Sequence, residues 1–169
     1  MKKILQNPHP KLREKSKEVE QGELTSKEFK VLVADMKEAL AGAKDGIAIA
    51  APQIGSLKRV FVLSPKIYEY EYPKDGMLVY INPKIVRKSA KKSEFFQGCL
   101  SIKNMFGMVK RSEKVTVEAW DETGKLFTRG ASGLLAEIFQ HEIDHFNGKL
   151  FIDDAKNVQE LKPEDESKS

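Results

Sequence analysis

The sequence predicts an α+β domain, with antiparallel sheets packed around a central helix that carries an H-E-x-x-H motif. Three observations lead there. An amphipathic helical pattern stands near the start, runs rich in Val, Ile and aromatic residues fill the middle, and His141-Glu142-Ile143-Asp144-His145 sits in a second helical segment. Helices and strands in this order belong to the α+β class rather than to a bundle or a sandwich.

The first helix opens at Thr25, where Thr25-Ser26-Lys27-Glu28 has capping-box spacing. Phe29, Leu32, Val33, Met36 and Leu40 then recur on one face, and Lys44-Asp45-Gly46 stops the run. Arg59 to Leu63, Met77 to Arg87 and Val115 to Trp120 read as strands. Asp121-Glu122-Thr123-Gly124 is a turn, so Lys125 to Arg129 pairs back as a hairpin. Ser132 is the N-cap of the second helix and Asn147-Gly148 its stop.

The chain has 169 residues, 40% hydrophobic and 32% charged. That suits one soluble globular domain, which at this length buries roughly 70% of its unfolded surface without a disulfide. The domain is expected over residues 1–154, followed by a short charged tail over 155–169 that is polar throughout from Lys162. With Cys99 as the one cysteine, no internal disulfide can form. No apolar run reaches membrane-span length, and the Ile4-Leu5 pair is too short for a signal-peptide core, so the expected compartment is the cytoplasm. A net charge of +4 with lysines interleaved among acids, as in Lys11-Leu12-Arg13-Glu14-Lys15, describes a solvated surface. Sequence-specific nucleic-acid binding is not expected, although a weak ribosome contact is compatible with the charge.

In H-E-x-x-H the i,i+4 spacing puts both imidazoles on one helix face, where they can bind one metal ion. Glu142 projects about one hundred degrees round from His141, close enough to act on a metal-activated water without ligating. Leu134, Ile138, His141 and His145 share one stripe, so the rings face the core. A catalytic site of this kind needs a third ligand, commonly His, Glu or Cys. Cys99, in Gln97-Gly98-Cys99-Leu100-Ser101, is the most distinctive candidate, and Gly98 lets backbone approach closely. An H-E-x-x-H endopeptidase would instead draw its third ligand from downstream, where Glu164 and Glu166 are the acids on offer.

Three segments together resemble the signatures of peptide deformylases. Gly46-Ile47-Ala48-Ile49-Ala50-Ala51-Pro52-Gln53 is similar to G-x-G-x-A-A-x-Q, Gln97-Gly98-Cys99-Leu100-Ser101 to E-G-C-L-S, and Gln140 to His145 to Q-H-E-x-D-H. The likeness runs from about Ile4 to Asp153 and keeps the family's motif order. It implies removal of the N-formyl group from formyl-methionyl nascent peptides, with release of formate. Cys99, His141 and His145 would be the metal ligands and Glu142 the general base. The Gln53 side chain and the Leu100 backbone N–H would be the oxyanion donors. The ion implied is Fe(II), with Zn or Ni able to replace it. The substrate-binding residues implied are Gly46, Ala48, Phe95, Gln97, Leu134 and Ile138, of which Phe95, Leu134 and Ile138 match the methionine pocket.

Two positions depart from the motifs. Ala48 replaces a glycine and adds a methyl where the substrate backbone pairs as an extra strand. Gln97 replaces a glutamate, and Arg111 is the partner to expect for it. On the motifs alone, Gln97→Glu should raise kcat and Ala48→Gly should lower KM. The alternative reading of both departures is a weakened deformylase-like protein that binds N-terminal peptides.

Overall fold

The computed structural model describes residues 2–70 and 76–161. Its centre is a five-stranded antiparallel sheet, formed by β1 (Ala48–Ala50), β2 (Val60–Leu63), β3 (Val79–Lys88), β6 (Lys114–Trp120) and β7 (Leu126–Ser132), in the order β1-β2-β3-β6-β7. A smaller antiparallel sheet joins β4 (Lys92–Cys99), β5 (Ile102–Ser112) and β8 (Lys156–Glu160), in the order β4-β5-β8. Two α-helices, α1 (Lys27–Ala41) and α2 (Gly133–His145), complete the expected α+β class.

The period-2 alternation of strand side chains builds two cores from one sheet. Ile49, Val60, Val62, Val79 and Ile81 face α1, packing on Phe29, Val33, Met36 and Leu40. Their neighbours Ala50, Phe61, Leu63 and Tyr80 face the other way, onto Leu135, Ile138, Phe139 and Ile143 of α2. The four residues of β2 are accordingly all buried. At the centre of the α2 face Phe61 stacks on Tyr80 at 4.7 Å between ring centroids, and Phe139 lies 5.1 Å from Tyr80. α2 also touches β5, which places it between the two sheets as expected.

Several boundaries differ from the sequence reading. Ser26, not Thr25, caps α1: its Oγ accepts from the Phe29 N–H at 3.2 Å. The helix ends at Ala41 with Gly42 as C-cap, before the Lys44-Asp45-Gly46 stop expected for it. Ser132 does precede α2, but its hydroxyl caps nothing, because β7 runs directly into the helix through Gly133 at φ +58°. Gly148 serves as expected past the end of α2. At φ +70° it lies so near the Arg13 backbone that a Cβ would sit 2.3 Å from the Arg13 carbonyl oxygen. The hairpin of β6 and β7 forms, with Asp121 Oδ1 accepting from the Thr123 and Lys125 backbone N–H groups.

The sheet also runs past the boundary expected at Asp154. β8 pairs with β5 through Met105–Glu160 and Phe106–Gln159, so residues 156–160 are strand rather than tail. The segment from Lys162 onward, with Glu164 and Glu166, lies outside the described residues. Among the described residues no helix is long and apolar enough to cross a membrane.

Candidate metal centre and substrate cleft

His141 and His145 come from the last turns of α2, one helical turn apart, with ring centroids 5.1 Å from each other. The helix is fixed by its apolar face, so the rings inherit that rigidity. Cys99 closes β4, just before the turn into β5. Gly98 precedes it for a reason visible in the packing: a Cβ there would meet the Phe106 ring at 2.6 Å. Cys99 Sγ lies 3.6 Å from His145 Nε2, and one ligand atom from each of Cys99, His141 and His145 falls within 4.8 Å of the others.

That spacing tests the fit of a metal ion. Bond lengths of ~2.3 Å to sulfur and ~2.1 Å to nitrogen in a tetrahedron put S and N about 3.6 Å apart. The observed Cys99–His145 distance matches. Burial holds both imidazoles neutral, the ligating form: His145 is pushed down to about 4, and His141 well below its usual range, by burial first and then by the charges around them. Burial pushes the Cys99 thiol up to about 12, a proton that a cation in this position would displace.

Two buried groups flank the three ligand atoms. Glu142 is 4% exposed, and its Oε2 has no partner among the described residues. Burial raises its carboxyl to about 8, only partly offset by the positive charge of Arg111. Gln53, 1% exposed, sits in the single 3-10 turn Ala51–Ile54 that follows β1. Its Oε1 accepts from the Ala50 N–H at 2.8 Å. Its Nε2 donates to Ser101 Oγ at 3.1 Å and stands 3.6 Å from Cys99 Sγ. The amide therefore presents a donor to the site, its orientation fixed from behind.

A cleft of about 1000 Å³ opens onto these groups. The structure brings Gly46, Ala48, Gln53, Gln97, Cys99, Leu100, Ile138, His141 and Glu142 together in its wall, and His145 lies behind them in the ligand cluster. Phe95 and Leu134 are outside that wall. Leu134 is seven residues before His141, about 10 Å along the helix, and packs with the α2 core. Phe95 is two residues before Gln97 on β4 and pairs opposite Val109.

Position 97 has the partner expected for it: Arg111 Nη2 donates to Gln97 Oε1 at 3.1 Å. Arg111 Nη1 in turn meets Asp144 Oδ2 at 2.6 Å, so the H-E-x-x-H helix is tied to β5 by an ion pair. Sequence reading missed Asp144, Ser101 and Glu137. For Glu137 a signal was present, since a residue four before His141 shares its helix face. The downstream acids of the endopeptidase reading fall outside the described residues, and the Cys99 cluster forms without them.

Comparisons with known proteins agree with this geometry. The family model described as polypeptide deformylase matches residues 1–161. The peptide deformylase of Rhizobium meliloti is 44% identical over 154 residues, covering 90% of this chain and 84% of its own. A crystal structure of a peptide deformylase from Legionella pneumophila superposes with a TM-score of 0.82 at 40% identity, covering 93% of this chain and 87% of the other. A Met-Ala-Ser-bound class I type b peptide deformylase from Acinetobacter baumannii superposes with a TM-score of 0.80 at 30% identity, covering 89% and 96%. Motifs, fold and site coincide in one assignment: the chain belongs to the polypeptide deformylase family, metal-dependent hydrolases that remove the N-formyl group from formyl-methionyl nascent polypeptides.

Proposed function

We propose that Cys99, His141 and His145 hold a divalent ion, that this ion is Fe(II), and that Glu142 is the general base. The observation that carries the reading is the ligand triad within 4.8 Å, beside a buried carboxylate oxygen with no partner among the described residues. The ion, when bound, supplies Lewis acidity toward the formyl oxygen and an acidified water. Thiolate and imidazole suit Fe(II), Zn and Ni alike, so the choice of iron rests on the family resemblance.

Glu142 takes the proton of the attacking water and passes it to the departing amine. A carboxyl raised by burial holds that proton more readily than an exposed one. Gln53 Nε2 and the Leu100 N–H donate to the formyl oxygen as it gains negative charge, where such donors count most. Gln53 adds no charge of its own, which leaves the ion and Glu142 to set the electrostatics.

β1 is an edge strand of the five-stranded sheet, and its Ala48 and the preceding Gly46 stand in the cleft wall. The substrate backbone adds there as a further strand, the general mode by which sheet edges take extended peptides. The methionine side chain then enters the cleft against Ile138.

Formate release from formyl-Met-Ala-Ser, set against cleavage of unfolded casein, tests this reading. Formate release with intact casein supports it. Casein cleavage would indicate an endopeptidase, and peptide binding without formate would indicate a non-catalytic binder.

A further inference from the structure

The cleft that opens onto the ligand cluster has a charged mouth. Lys2 and Lys3 of the N-terminal segment, Lys44 of the loop between α1 and β1, and Lys103 near the start of β5 all stand in its wall. These segments are remote in sequence, and the fold brings them to one opening. Backbone bonds hold the N-terminal segment there: the Leu5 N–H donates to the Gln53 carbonyl at 2.7 Å, and the Asn7 N–H to the Ser101 carbonyl at 2.8 Å. All four lysines are exposed, and none forms an ion pair among the described residues.

Acids do not balance them. The cleft wall holds Asp45 beside Lys44, while its two glutamates, Glu137 and Glu142, lie on α2 with the ligands. Four lysines against one aspartate leave this end of the wall at net +3. Lys66 Nζ donates to the Lys44 carbonyl at 2.8 Å, which adds a further ammonium on the same loop.

The path of the substrate leads to this mouth. With the formyl group at Gln53 and Cys99, a peptide that pairs with the edge of β1 runs antiparallel to it, past Ala48 and Gly46. Lys44 lies four residues before Ala48. At about 3.3 Å per residue, a strand of similar length brings its third and fourth residues to the lysines. We propose that Lys2, Lys3, Lys44 and Lys103 make the site selective for formyl-methionyl peptides with acidic side chains at the third and fourth positions. This inference rests on the deformylase reading and names the substrate class that the site favours.

The attraction acts far from the reacting carbon, so it is equal in the ground state and the transition state. It therefore lowers KM and leaves kcat unchanged. One exposed ion pair changes affinity by at most about fivefold, and two acids facing a cluster of cations should together reach roughly tenfold at low salt.

The test compares formyl-Met-Ala-Asp-Asp, formyl-Met-Ala-Ser-Ser and formyl-Met-Ala-Lys-Lys, all amidated at the carboxyl end so that only the side chains differ in charge. On wild-type enzyme KM should rise in that order, with about tenfold between the first two at low salt and kcat constant within about twofold. The differences should vanish between about 0.01 M and 1 M salt, as the screening length shrinks from roughly 30 Å to 3 Å. Lys44→Glu/Lys103→Glu should reverse the order and favour the lysine peptide, a result that a merely structural role for these side chains would not give. The wild-type series needs no variant and decides the question even if the charge reversal fails to fold.

Equal KM values for the three peptides, or an order that survives charge reversal, would overturn the proposal. If the peptides are equal and a labelled RNA hairpin binds wild type but not the reversed variant, the lysines serve nucleic acid instead. Affinity for the unformylated peptides, measured by calorimetry, reads the same preference without catalysis. A protein that binds Met-Ala-Asp-Asp more tightly than Met-Ala-Ser-Ser but releases no formate would defeat the functional reading and leave this one standing.

Discussion

The two sheets of this molecule contribute to one site in different ways. The five-stranded sheet is buried on both faces at β2 and clamps α2 with an aromatic cluster of Phe61, Tyr80 and Phe139. The three-stranded sheet covers a much smaller core of Leu12, Ile102, Val109, Leu150 and Phe151, and every residue of β8 is exposed. Polar contacts join it to the rest: Asn7 N–H to the Ser101 carbonyl, Gln6 Nε2 to the Leu100 carbonyl, and the Arg111–Asp144 ion pair. The first region carries His141 and His145 on a rigid helix, and the second carries Cys99 across a seam. A metal ion held by these three residues would tie the two halves together, so damage to one half should unfold the protein and damage to the other should empty the site.

The largest effect on stability is expected in the first half. Phe139 is fully buried against Phe61 and Tyr80, so Phe139→Ala should cost about 3–5 kcal/mol in denaturant unfolding. A loss below about 1 kcal/mol, well under that scale, would show that α2 is not anchored by this cluster. Cys99→Ala should behave in the opposite manner. Metal content should fall steeply while the melting temperature measured in chelator stays near that of wild type, because the core does not depend on one thiol. Full occupancy in the purified variant would remove Cys99 from the ligand set.

A smaller effect separates the halves by pH. Arg13 hydrogen-bonds Asp153 at 2.7 Å and holds its carboxyl below the ordinary value of 3.8, which clips the N-terminal segment to the turn before β8. A depressed carboxyl stabilises the fold above its unfolded pKa, and that stabilisation disappears as pH falls through the folded value. Both side chains are partly exposed, so Asp153→Asn should cost about 1 kcal/mol or less at pH 7. The gap from wild type should close as pH falls below 3.8. Thermal melts across pH measure it, and a gap that widens in acid would contradict the ion-pair account.

The same contrast explains what was legible in the sequence. α1, α2 and the strands β2, β3 and β6 were readable because burial writes an apolar pattern into the chain, and β7 because a turn precedes it. β8 is exposed along its length, and β4 sets Lys92, Glu94 and Phe96 outward, so neither carries a clear apolar pattern. Their existence depends on pairing with β5, which no local window contains. At the site, the histidine pair was readable from i,i+4 spacing, whereas Cys99 became specific only through resemblance to a family. The role of Asp144 was hidden because its partner Arg111 sits on a strand remote in sequence.

Metal binding by Cys99, His141 and His145 should be separable from proton transfer by Glu142. Formate release by metal-loaded Glu142→Ala, measured together with metal content per chain, tests it most directly. Metal occupancy should equal that of wild type, and the rate should be lower by about 10² to 10⁴, the usual contribution of a general base. Formate release within about threefold of wild type at full occupancy, far inside that range, would contradict it and assign the proton to another group.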